Sequence, residues 1–184
     1  TAVAREYLGL RPEVPSVGDS ALEHTHLYRN KRDGTFEDVT ESVGLADKAI
    51  YAMGSNFGDI DNDGWLDFYV GTGNIDLRSI IPNRMFRNVD GKRFEDVTLR
   101  GGFGHLQKGH GTAFADLDRD GDEDVYMMIG GAYAGDVSTS VLFENPGWPN
   151  RNWITLELEG RAANRSAIGA RVEVQAAGKR QMHE

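Results

Sequence analysis

Two segments of this chain align without a gap. "YAMGSNFGDIDNDGWLDFYVGTG" at 51–73 matches "KGHGTAFADLDRDGDEDVYMMIG" at 108–130, pairing Gly54 with Gly111, Phe57 with Phe114 and Tyr69 with Tyr126. A second stretch, "LYRNKRDGTFEDVT" at 27–40, returns as "MFRNVDGKRFEDVT" at 85–98, and its first half returns again as "LFEN" at 142–145. The shifts are 57 or 58 residues throughout. Such a period means that one supersecondary unit is stacked on copies of itself, because a single unit of that size cannot bury its own apolar face.

Within one repeat the pattern gives four short strands: "SNFGD" into an acidic loop, "LDFYVGT" out of it, "NRMFRN" after a longer connection, and "RFEDVT" after the turn "VDGK". These are lengths for an antiparallel meander, and no helical period is sustained. "DFYV" and "DVYMMI" are apolar on consecutive residues, so both faces of each sheet should be covered. The expected fold is all-β, built of antiparallel four-stranded blades stacked around an axis as in a β-propeller, and favoured over a solenoid of hairpins. At this period 184 residues supply about three blades, fewer than the four to eight that close a propeller. The chain therefore reads as part of a longer protein.

The acidic loops are "DIDNDGWLD" at 59–67 and "DLDRDGDED" at 116–124. Aspartates at loop positions 1, 3 and 5 place carboxylates on one side of a tight turn. Glycine at 6 permits the turn, position 7 offers its backbone carbonyl, and aspartate at 9 closes the shell. Hard oxygen ligands in such number suit calcium, which accepts six to eight, better than magnesium, which keeps its waters and a strict octahedron. The expected ligands are Asp59, Asp61, Asp63, the Trp65 carbonyl and Asp67 in loop one, and Asp116, Asp118, Asp120, the Asp122 carbonyl and Asp124 in loop two, for two Ca²⁺ ions. An EF-hand is excluded, because position 12, where it needs a bidentate glutamate between helices, is Val70 in one loop and Met127 in the other. The plainer alternative is a pair of solvated hairpin turns, where Asp, Asn and Gly are common.

Composition narrows the function. The formal net charge is −9, much of it in these loops, and a nucleic-acid partner is disfavoured because phosphate binding needs a positive face. No apolar run approaches the roughly 20 residues that cross a bilayer, so membrane insertion is not expected. The absence of cysteine removes disulfides, thiolate catalysis and cysteine zinc sites, and leaves the redox compartment open. The chain begins at Thr1 without Met or an apolar leader, so any signal peptide is expected to have been removed.

The segments "NFGDIDNDGWLDFYV" and "AFADLDRDGDEDVYM", each followed by "RN" or "EN" and, after the first, by "FEDVT", resemble the FG-GAP/VCBS repeat of calcium-binding β-propellers. "NRNWITLELEGRAANRSAIGARVEVQAAGKRQ" at 150–181 looks like the start of an ASPIC/UnbV domain. The resemblance implies an extracellular, cell-surface or periplasmic calcium-binding module that serves adhesion or contact with a protein or glycan ligand, without catalysis. It divides the chain into an irregular or linker segment at 1–24, propeller repeats at 25–148, and a truncated ASPIC/UnbV-like β domain at 149–184. The first segment lacks the repeat signature: "AVAREYL" suits a short helix and "LRPEVPSVGDS" a linker.

The competing reading is a propeller enzyme, a hydrolase or lyase with its site at the central mouth, to which His105 and His110 would contribute. His24 and His26, two apart on one strand face, suit zinc only with a third ligand that the sequence does not supply, and read as an ordinary surface pair. Trp148, Trp153 and Tyr133 read as core packing between blade and tail rather than as a carbohydrate platform. Arg151, Asn164 and Arg165 are candidates for holding loops of the tail, and "NRS" at 164–166 is a glycosylation sequon that matters only in a eukaryotic secreted protein.

Overall fold

A computed structural model describes residues 25–46, 48, 51–74, 80–131, 138–161, 164–176 and 178–183. Every regular element among them is a strand. The central sheet is the meander expected from the repeat: β3 (Ala52–Gly58), β4 (Asp67–Thr72), β5 (Arg84–Val89) and β6 (Arg93–Asp96), antiparallel and in sequence order. Ahead of it, β1 (Tyr28–Asn30) and β2 (Phe36–Asp38) form a hairpin at the repeat positions of β5 and β6. After it, β7 (Gly109–Ala115), β8 (Asp124–Ile129) and β9 (Val141–Phe143) form a three-stranded sheet equivalent to β3, β4 and β5. The tail adds the hairpin of β10 (Val172–Ala176) and β11 (Lys179–His183). The fold is thus all-β, with small antiparallel sheets arranged as partial propeller blades.

Strand alternation explains how the central blade is sandwiched. Phe68 pairs with Phe86, and Tyr69 with Met85, so neighbouring residues point to opposite faces. On one face Val70 and Phe86 pack with Val39, Val43 and Leu45 from the turn after β2, with Phe68 stacked on Phe86 at 4.9 Å between ring centroids. On the other, Tyr69, Met85, Ile60 and Val97 pack with Val125, Met127 and Ile129 of β8. Burying each large side chain stabilises the stack by roughly 1.5–3 kcal/mol. The expectation that both faces of "DVYMMI" are covered holds only on this side. Tyr126 and Met128 point away from the central blade and are exposed, because no described residue packs on that face.

The repeated "EDVT" is a staple. Asp38 Oδ1 accepts hydrogen bonds from the Thr40 N–H at 3.0 Å and the Thr40 hydroxyl at 2.6 Å, while Thr40 Oγ1 accepts the Leu27 N–H at 2.9 Å. Asp96 takes the Thr98 N–H in the same way, and Thr98 Oγ1 accepts the Met85 N–H at 3.0 Å. Each copy ties the end of a blade's fourth strand to the start of its third. Where the inner strands of adjacent blades meet, small residues are required. A side chain at Gly54 would collide with the His110 carbonyl, and one at Gly71 with the backbone of Gly109.

The tail departs from expectation. Trp148 and Trp153 are about half exposed instead of forming a core, although the Trp153 indole stands over Gly121, where no side chain projects. Asn164 does hold a tail loop, donating to the Ile168 carbonyl at 2.9 Å and accepting its N–H at 2.7 Å. Arg165 pairs with Glu159 at 3.1 Å. His24, Tyr133, "AVAREYL" and "LRPEVPSVGDS" lie outside the described residues.

Candidate metal centre

Both acidic loops connect the first strand of a blade to its second, and both are shaped by their own carboxylates. In loop one Asp59 accepts the N–H of Asp63 at 2.9 Å on Oδ1 and that of Gly64 at 2.7 Å on Oδ2. In loop two Asp116 does the same for Asp120 at 3.1 Å and Gly121 at 3.2 Å. Gly64 and Gly121 carry φ values of 88° and 98°, a backbone region that glycine enters without strain. The position-1 aspartate therefore folds the chain back on itself and gathers the carboxylates that follow it.

The position-9 aspartates are buried and act as structural anchors. Asp67 Oδ2 accepts the Ile60 N–H at 3.0 Å and its Oδ1 the Asn88 N–H at 2.7 Å. Asp124 repeats this with Leu117 at 3.0 Å and Asn145 at 2.9 Å. Burial pushes the Asp67 carboxyl up to about 7; the N–H donors of Asn88 and Ile60 oppose the rise, and the negative charges of Asp61 and Asp59 add to it. Asp59 is also raised, by burial first and then by its acidic neighbours.

The two loops gather different sets. In loop one, carboxylate oxygens of Asp59, Asp61 and Asp67 lie within 4.8 Å of one another; in loop two those of Asp116, Asp118 and Asp120 do so. Asp63 instead lies 3.7 Å from the Arg87 guanidinium and accepts the Trp65 N–H at 2.9 Å. Asp124 is turned to its backbone donors. The Trp65 ring lies against Gly91 and under the Lys179 ammonium, 5.7 Å from the ring centroid. The Asp122 side chain accepts a hydrogen bond from Asn62. Asp61 is 1% exposed; its Oδ2 is taken by Arg87, and its Oδ1 is buried without a hydrogen-bond partner. Three carboxylates in so small a volume form a hard, anionic oxygen cluster with the chemistry to hold a divalent cation.

Several residues that matter here were not singled out from the sequence. Asn88 and Asn145 fix the position-9 aspartates through their N–H groups and also donate to the position-8 carbonyls, Asn88 to Leu66 at 3.1 Å and Asn145 to Glu123 at 3.2 Å. Asn145 further reaches across the blades to the Ile60 carbonyl at 2.8 Å. Glu123 accepts the Asp59 N–H at 2.7 Å, so the second loop clasps the first. The available signal was the asparagine common to "YRN", "FRN" and "FEN" at 30, 88 and 145. The residue before it, Arg87 in one copy and Glu144 in the next, was the signal for a difference between the loops.

Among the described residues, His26, His105 and His110 do not come together in one centre. His26 Nδ1 lies 2.9 Å from Asp38 Oδ2 and its ring stacks on Tyr28, as an ordinary surface residue does. His105 is bound into a turn, its carbonyl accepting from both nitrogens of Asn83 at 2.9 Å and its Nδ1 from the Gln107 N–H at 3.2 Å. His110 sits at the irregularity in β7 that matches the one at Met53 in β3, with its ring against Gly130.

Comparison with known proteins agrees with this architecture. Residues 11–70 match the FG-GAP-like repeat family; the match takes in loop one and begins inside the stretch read as linker. Cartilage acidic protein 1 of Xenopus tropicalis is 35% identical over 77 residues, which is 40% of this chain and 11% of that protein. The chain thus matches about a tenth of the length of this curated relative. No helix among the described residues is long and apolar enough to cross a membrane. Over residues 11–70 the chain is similar to an FG-GAP-like repeat, and its blades and acidic loops extend that pattern to a second copy.

Proposed function

We propose that this chain is a calcium-binding β-propeller module of an extracellular, cell-surface or periplasmic protein, working by adhesion or contact with a protein or glycan rather than by catalysis. The observation that carries the reading is Asp61 Oδ1, a buried carboxylate oxygen without a partner inside a cluster of three carboxylates. Leaving such a group unpaired costs about 1–3 kcal/mol or more when it is charged, and a divalent cation removes that cost. Asp59, Asp61 and Asp67, with Asp63 and the Trp65 carbonyl, would hold one Ca²⁺; Asp116, Asp118 and Asp120, with the Asp122 carbonyl and Asp124, a second. The ion supplies positive charge that turns mutual repulsion into coordination, so its binding free energy becomes stability of the blade edge. The FG-GAP-like match and the similarity to cartilage acidic protein 1 support an interaction module. Residues 25–148 would be its propeller repeats, 149–184 part of an ASPIC/UnbV-like β domain, and 1–24 a lead-in that shares the family match from residue 11.

The test is thermal melting of the wild type, Asp59→Ala and Asp116→Ala in calcium, in magnesium and in chelator. Calcium should raise the wild-type melting temperature more than magnesium does, and each substitution should lower it chiefly in calcium. Equal losses in chelator would count against coordination and leave the aspartates as turn formers.

A further inference from the structure

The two loops share a spacing but not a counter-charge. In loop one the Arg87 guanidinium closes on a single oxygen of Asp61, with Nε at 2.7 Å and Nη2 at 2.6 Å from Oδ2, and Nη2 lies 3.7 Å from Asp63. Arg151 stands at 4.0 Å from the same Oδ2, and Lys179 donates to the Asp63 carbonyl. In loop two the residue equivalent to Arg87 is Glu144, and no basic side chain is paired with Asp116, Asp118 or Asp120 among the described contacts. The geometry points to Arg87 as a resident counter-ion and positioning residue of loop one: it holds Asp61 by Oδ2, leaves Oδ1 for a ligand, and lets this loop keep its shape when no cation is bound. Loop two, whose turn is held by Asp116 and Asn62, has no resident counter-charge among the described residues and depends on a cation to offset the repulsion of its carboxylates.

The physical argument is local. A buried carboxylate beside Asp59 and Asp67 is strongly disfavoured unless paired, and a guanidinium is the side chain that stays charged and offers two parallel N–H groups while partly buried. Because both of those groups fall on one oxygen, Asp61 can serve the arginine and a metal at once, one oxygen for each, as outer-shell partners do when they orient a ligand. Occupancy of the two loops is then unequal in its consequences: loss of calcium unfolds the edge of the second blade first.

This inference rests on the calcium reading, and the experiment separates the two. Amide hydrogen exchange would be followed in the 184-residue chain, in calcium and in chelator, for the wild type, Arg87→Gln and Arg87→Lys. The amides of Asp63 and Gly64, held by Asp59, report loop one; those of Asp120 and Gly121, held by Asp116, report loop two. In wild-type protein, chelator should release the loop-two amides and leave those of loop one protected. Arg87→Gln should speed exchange at Asp63 and Gly64 in chelator by about tenfold or more, as expected when a buried charge loses its partner, with calcium restoring much of the protection and Arg87→Lys intermediate. Equal exchange of both loops in wild-type chelator, or no change in loop one with Arg87→Gln, would overturn the role of Arg87. A chain whose two loops exchange identically with and without calcium would overturn the calcium reading instead, while the Arg87→Gln effect in chelator would still report the pairing with Asp61.

Discussion

Loop one and loop two carry the same aspartates at positions 1, 3, 5 and 9, yet their surroundings differ. Asp61 is buried, and its neighbours are covered by Glu123, Asn145 and Arg87; Asp116, Asp118 and Asp120 are all exposed. The difference teaches that a DxDxDGxxD motif specifies the turn and gathers its carboxylates, while the adjoining blade sets how deeply they are buried and what counter-charge they meet. Loop one is packed against a following blade that donates to its backbone. Loop two is met from the other side, where Asn62 of loop one donates to the Gly121 carbonyl at 3.2 Å and Trp153 lies over Gly121, and no described residue buries the carboxylates of Asp116, Asp118 and Asp120.

The largest expected effect ignores the comparison. Asp67→Ala and Asp124→Ala each strip two buried N–H groups of their acceptor, and each should destabilise by about 2–5 kcal/mol in denaturant unfolding, with or without calcium. If one of the pair were harmless, the two loops would differ even in their anchors.

Asparagine substitutions sharpen the contrast. Asn145→Ala loses a cross-blade bond to the Ile60 carbonyl that has no counterpart for Asn88 among the described residues, so it should cost about 1–3 kcal/mol and more than Asn88→Ala. Equal losses would mean that the bond between the blades contributes nothing to stability.

A gentler probe is pH. Because the folded Asp67 carboxyl sits near 7, above the usual unfolded value near 4, protonation favours the folded state. Its contribution is fully present below about pH 4 and is lost as pH rises through 7. In chelator the melting temperature should therefore fall between pH 5 and pH 7.5. Calcium, which needs the carboxylate ionised, should flatten or reverse that slope. A slope unaffected by calcium would place Asp67 outside the coordination shell.

The smallest pH effect belongs to the carboxylates of the two staples. Hydrogen bonds from Thr40, and then from His26, hold the Asp38 carboxyl down at about 2. The sign is opposite: this contribution is present above about pH 4 and is lost as pH falls toward 2. Thr40→Val should move acid unfolding to slightly higher pH, and Thr98→Val should act the same way through Asp96, whose carboxyl is also lowered.

Much of this was legible in the sequence because it was written more than once. The strands of the central blade fall where the repeat put them, and alternation placed Tyr69 and Phe86 on opposite faces. The anchoring role of Asp67 and Asp124 was not legible, since a carboxylate that accepts backbone N–H groups and one that ligates a metal occupy the same letter. Arg87 and Asn145 act across turns and blades, and spacing along a chain does not encode such contacts. The tail was least legible. Its aromatic residues suggested a core, but two strands and a run of exposed residues from 151 to 159 provide no second layer for Trp148 and Trp153 to pack into.

The most direct test of calcium binding is a calorimetric titration of the 184-residue chain with calcium, repeated with magnesium. Two calcium sites with dissociation constants of about 10⁻⁴–10⁻³ M, the range of extracellular modules, and weaker heats from magnesium are the predicted result. No saturable calcium binding would contradict the account and leave the acidic loops as turns held together by their own backbone.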